Sequence, residues 1–112
     1  MRRQPQTPFI SPARFAKAAG VSVQELAALA GVHRNTVSQH PDSARLQNRL
    51  RDMVKAIAAA AAMTGNVDKA IYWFRNEPTA DYRYKTAAEL VAEGQLGAVL
   101  AYLEDLRHGP SG

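Results

Sequence analysis

The stretch "VQELAALAGVHRNTVSQ", Val23 to Gln39, decides how the N-terminal half folds. Two short helices that meet at a steep angle need a small residue where they cross, a residue tolerant of positive φ in the turn, and apolar residues that lock the second helix. Ala27 supplies the first, Gly31 the second, and Leu26, Val32 and Val37 the third. Ser22 with Glu25 forms a capping box that opens a helix over 23–30, with Leu26, Ala27 and Leu29 or Ala30 facing inward. The next helix runs from about His33 to Gln39, and Pro41 stops it. It gathers Arg34, Asn35, Thr36, Ser38 and Gln39 on one short element, with Val32 and Val37 as its main apolar anchors. That is the composition of a donor-rich exposed face, not of a pocket.

Upstream, Ser11-Pro12 opens a first helix that Gly20 ends, with Phe15 and Ala18 or Ala19 as its apolar stripe. Residues 1–10, with Pro5, Pro8 and two arginines, are expected to be a flexible tail. Downstream, Asp42 or Ser43 caps the longest helix, over 44–64, where Leu46, Leu50, Met53, Val54, Ile57 and Ala61 repeat at the spacing of one buried face. Asn66 caps a helix over 67–76 that carries Ala70, Ile71, Trp73 and Phe74. The segment "EPTADYRYK", 77–85, reads as a loop with Tyr82 and Tyr84 either exposed or folded back on Trp73. Thr86 with Glu89 is a second capping box, for a helix over 87–93 that stops at Gly94. A last helix over 95–107 is expected to bury Leu96, Val99, Leu100, Leu103 and Leu106, ahead of a flexible end at 109–112. No stretch alternates with a period of two. The expected fold is therefore all-α: a helix-turn-helix region over 11–43, a connecting long helix over 44–64, and a small helical bundle over 65–112.

The bulk composition narrows the function. The 112 residues suit one small domain or two helical subdomains sharing a core, and 46% of them are apolar. The net charge is +4, with a pI near 9.8, which favours an anionic partner. There is no cysteine, so disulfides and thiolate metal sites are excluded. The longest apolar run, "AIAAAAAM" from Ala56 to Met63, is too short to span a bilayer, and no signal-like core follows the N-terminus. A cytoplasmic protein with no membrane partner is expected.

The 23–39 stretch resembles the helix-turn-helix of bacterial repressors. In such motifs the second helix enters the major groove, its early residues reach base edges, and flanking groups hold phosphates. The resemblance implies that Arg34, Asn35 and Gln39 read bases: arginine suits guanine, and the amides suit adenine. Thr36 and Ser38 would bond phosphates, and Arg45 and Arg49 would add backbone contacts. His33 stands where a serine-like cap is common, and His40 where an aliphatic residue usually packs.

The C-terminal half, about 64–109, resembles the toxin-binding domain of the Xre/MbcA/ParS family of bacterial antitoxins. The resemblance is carried by "KAIYWFRNEP", "KTAAELVAEG" and "VLAYLEDLRHG". Ala87 stands where many members have a proline. The matching positions are Trp73, Phe74, Arg75, Pro78, Thr86, Glu89, Leu90, Gly94, Leu103 and Gly109, several of them structural. The resemblance implies an antitoxin that covers the active site of a RES-domain, NAD-consuming toxin and represses its own operon. Toxin contact would fall on the chain end, Arg107, His108 and Gly109, and on the loop with Pro78, Tyr82 and Tyr84. The expected partners are the toxin and operator DNA, in a homodimer or a toxin–antitoxin heterotetramer. The 44–64 and 95–107 helices are the candidate dimer surfaces.

No catalytic constellation is expected, and no cofactor. His33, His40 and His108 have no third metal ligand near in sequence, and adjacent Glu104 and Asp105 point in different directions on a helix. Two alternatives to the antitoxin stay open: a standalone dimeric transcription regulator, and an anchoring protein that needs only protein partners.

Overall fold

A helix begins where something satisfies its first free N–H groups, and among the described residues a side chain does so six times. The computed structural model describes residues 8–109. Among them the helices are α1 (Pro12–Ala19), α2 (Val23–Ala30), α3 (Arg34–Gln39), α4 (Ala44–Thr64), α5 (Val67–Asn76), α6 (Ala87–Ala92) and α7 (Leu96–His108). Ser11, Ser22, His33, Ser43, Asn66 and Thr86 cap α1 to α6 in turn through their side chains. Both expected capping boxes form, Ser22 with Glu25 and Thr86 with Glu89. The protein is all-α, with no strand among the described residues. The expected flexible tail and flexible end fall largely on residues 1–7 and 110–112, outside the described residues.

The long helix α4 is the axis of the fold, and α2, α5, α6 and α7 all pack on it. Its Leu46, Leu50, Met53 and Ala56 are fully buried, and they meet Leu26 of α2, Phe74 of α5, Val91 of α6 and Val99 of α7 in one continuous core. Full burial of a side chain such as Phe74 stabilises the fold by about 1.5–3 kcal/mol. No helix among the described residues is long and apolar enough to cross a membrane.

Two expectations about burial need correction. The buried face of α4 is rotated toward Ala56 and Ala60, so Val54 is exposed and Ala61 only half-buried. The cause is helical phase: Leu46, Leu50, Met53, Ile57 and Ala60 fall within one arc of the helix, and Val54 lies at its margin. On α7, Leu100 and Leu106 are exposed, Leu106 by 49%. Val99 and Leu103 face the core, whereas Leu100 and Leu106 lie on the face that borders an open groove beside α4. Of the two alternatives on α1, Ala19 is the buried one and Ala18 is exposed; Ala16 is buried as well.

One buried polar residue had no signature in the periodicity. The Gln47 amide accepts from the Ile10 N–H at 3.0 Å and donates to the carbonyls of Ile10 and Pro41, each at 2.8 Å. A buried amide must satisfy its polar atoms, and Gln47 does so by tying the segment before α1 to the turn after α3.

Candidate nucleic-acid and partner-docking surfaces

The first surface is built by α2, its turn and α3. Gly31 holds φ at +68°, a left-handed conformation that glycine adopts without penalty, and its N–H reaches the carbonyls of Ala27 and Ala28. The Val32 N–H then donates to the Ala27 carbonyl at 3.0 Å, which closes the turn. Leu26, Ala27 and Ala30 are buried beneath it. α3 is only six residues long, and Val37 is its one buried residue. Arg34, Asn35, Ser38 and Gln39 are exposed together, and Thr36 is half-buried beside Val37. The two histidines flank this helix as its caps: His33 Nδ1 accepts from the Asn35 N–H at 3.0 Å, and the His40 N–H donates to the Thr36 carbonyl at 2.8 Å.

The two flanking arginines part company. Arg45 is exposed, and its Nε lies 3.8 Å from where a Cβ on Gly31 would sit, so its guanidinium reaches over the turn. Arg49 turns inward. Its Nη1 donates to the Val91 carbonyl at the end of α6, and Asp52 stands 3.9 Å away. Its Nε is buried with no partner among the described residues. Arg49, expected to add a backbone contact to DNA, has its guanidinium joining α4 to α6.

The second surface is the 77–85 loop with the end of α7. Thr79 is buried and organises the loop: its N–H and Oγ1 both donate to the Lys85 carbonyl, at 2.9 and 2.7 Å. The Thr79 carbonyl accepts from the N–H groups of Tyr82 and Tyr84, and residues 80–82 form a single 3₁₀ turn. Arg83 and Tyr84 follow with φ of 61° and 60°, two successive left-handed residues that are not glycine. The two tyrosines separate. Tyr82 is half-buried and meets Tyr102 edge-on, with ring centroids 6.4 Å apart, and Tyr102 in turn stacks on Trp73 at 6.4 Å. Tyr84 is 71% exposed. Pro78 is exposed as well.

Arg107, His108 and Gly109 are all exposed at the end of α7. Glu104 pairs with Arg107 at 3.6 Å and with His108 Nε2 at 2.9 Å. The loop and the chain end share a notch of about 290 Å³ lined by Asp81, Tyr102, Asp105, Leu106 and Gly109. Tyr102 is the residue that sequence reasoning passed over here. It lies inside "VLAYLEDLRHG", but only the fold shows it as the middle ring of three. A larger open groove, about 660 Å³, runs between α4 and α7 over Ala59, Ala62, Met63, Leu100 and Leu106.

A third contact links the two halves. Arg75 of α5 pairs with Glu25 of α2 at 3.4 Å. The Ser22 backbone N–H that donates to Glu25 is the main cause holding this carboxyl below its ordinary range, and the Arg75 guanidinium adds to it. Among the described residues, no group of three or more histidine, aspartate or glutamate side chains could hold a metal ion. No family model, no curated protein and no solved structure matches the chain.

Proposed function

We propose that the protein is a cytoplasmic, non-enzymatic antitoxin that binds operator DNA through α3 and covers the active site of a RES-type toxin with its C-terminal surface. The observation that carries the DNA half is the division of α3. Val37 alone is buried, while Arg34, Asn35, Ser38 and Gln39 stand exposed on a helix fixed by a tight turn. Bidentate donors on a helix narrow enough for the major groove are what base reading requires. Arg45 over the turn supplies a flanking cation for phosphate. The toxin half is supported by a hydrogen-bonded loop that exposes Tyr84 and, through Asp81, shares a notch with Leu106 and Gly109 at the chain end, since exposed aromatics on held backbone are typical anchors of protein interfaces.

A standalone dimeric regulator is the second reading, and the apolar groove between α4 and α7 favours it, because a second copy would bury Met63, Leu100 and Leu106. One experiment separates the two. The tagged protein is recovered from its own cells at moderate salt, beside a truncation lacking residues 106–112. A stoichiometric toxin-sized partner that is lost with the truncation supports the antitoxin; recovery of its own dimer and upstream DNA alone supports the regulator. For either, Arg34→Ala with Asn35→Ala should weaken binding to upstream DNA about tenfold to a hundredfold with the fold intact. Unchanged affinity would remove α3 from the DNA interface.

A further inference from the structure

The cap of α3 differs in kind from those of the other capped helices. Serine, threonine and asparagine accept an N–H through an oxygen that stays an acceptor at any physiological pH. His33 accepts through Nδ1, at 3.0 Å from the Asn35 nitrogen. An imidazole nitrogen can accept only while it is unprotonated, and imidazolium is a donor at both positions. The cap therefore exists in one protonation state of one tautomer, with the ring proton on Nε2.

The charged groups around the ring are few. Arg34 is adjacent in sequence, and Arg45 reaches over the turn at Gly31. The carboxylate on the packed helix α2, Glu25, is committed to the Ser22 N–H and to Arg75. Asp42 lies beyond the far end of α3, and Arg49 faces α6. His40 caps the opposite end, where a positive charge would favour the helix. α3 itself has little reserve: six residues and one buried side chain. A helix this short does not persist on propensity alone.

We infer that His33 is a positioning residue that makes α3 acid-sensitive: neutral, it holds the first turn that carries Arg34 and Asn35; protonated, it releases that turn. The consequence for DNA rests on the reading of α3 as the base-reading helix, but the conformational step does not. Histidine is the side chain whose charge changes in the mildly acidic range, so the exposed face of α3 would be ordered at neutral pH and loosened below it.

The test uses the full chain without DNA. The Asn35 amide resonance and the Cα secondary shifts of residues 34–37 are followed from pH 7.5 to 5.5 in the native protein, His33→Asn and His33→Ala. Asparagine caps without titrating. The native protein should lose helical shift as the pH falls, with the ordered-to-frayed ratio of the first turn dropping about fivefold, as for loss of one cap. His33→Asn should stay helical throughout, and His33→Ala should be frayed at both ends of the range. Helical shifts in the native protein that do not change with pH would overturn the inference. So would an equal acid loss in His33→Asn, which would assign the effect to another group. DNA affinity over the same range is measured separately: no binding at any pH would defeat the reading of α3, while the shifts would still decide the cap.

Discussion

α3 and the 77–85 loop both display side chains, and they are fastened in opposite ways. α3 is held by one buried valine and an exposed imidazole cap, so its hold is shallow and local. The loop is held from within: buried Thr79 engages its backbone on both sides, strongly enough to keep Arg83 and Tyr84 in left-handed conformations that cost non-glycine residues about 1–2 kcal/mol each. The first arrangement gives an element that can be loosened and re-formed. The second fixes the backbone that carries Tyr84, so less backbone ordering entropy is lost when a partner docks.

Both elements rest on the same core, and the largest effect should erase the contrast. Phe74→Ala is expected to destabilise the protein by about 3–5 kcal/mol. In chemical denaturation followed by Trp73 fluorescence and by α3 amide signals, both probes should shift together. Val37→Ala should separate the two regions. A loss of about 1–3 kcal/mol should fall on α3, with hydrogen exchange faster there and unchanged at the Tyr84 amide. Within the loop, two substitutions should act with opposite sign. Thr79→Val removes the Oγ1 hydrogen bond at the cost of about 1 kcal/mol, whereas Arg83→Gly relieves one left-handed residue and should raise thermal stability by up to about 1 kcal/mol. If both destabilise equally, the loop is not held against strain. The smallest effect concerns the bridge between the halves. The Glu25 carboxyl is held low when folded, so its contribution is present above the ordinary carboxylate range and fades as the pH falls through the folded value. A stability difference between the native protein and Glu25→Gln should therefore be visible near neutrality and shrink in acid, and added salt should reduce it.

Helix positions were legible because capping chemistry is local. Ser22 with Glu25, Ser43, Asn66, and Thr86 with Glu89 mark starts within four residues of sequence, and the observed starts of α2, α4, α5 and α6 follow them. What periodicity could not give was rotation and reach. It marks a stripe on α4, but the buried arc runs on the Ala56 and Ala60 side and leaves Val54 outside. It counts Leu100 and Leu106 as core because it cannot see that this face of α7 borders an open groove beside α4. The surfaces were legible in part. Arg34, Asn35, Ser38, Gln39 and Arg45 are exposed as expected, but the inward turn of Arg49 was not legible because its partner, the Val91 carbonyl, lies 42 residues away. Tyr82 and Tyr84 could not be told apart without Tyr102, which arrives on another helix.

Gln47 has a practical corollary. By binding the carbonyls of both Ile10 and Pro41, it makes the segment entering α1 a neighbour of the turn leaving α3. A reporter or affinity handle fused ahead of Pro8 would thus be grafted beside the α3 end of the molecule, whereas one added after Gly109 would sit at the far end of α7. The choice of fusion terminus decides which of the two displays is shadowed.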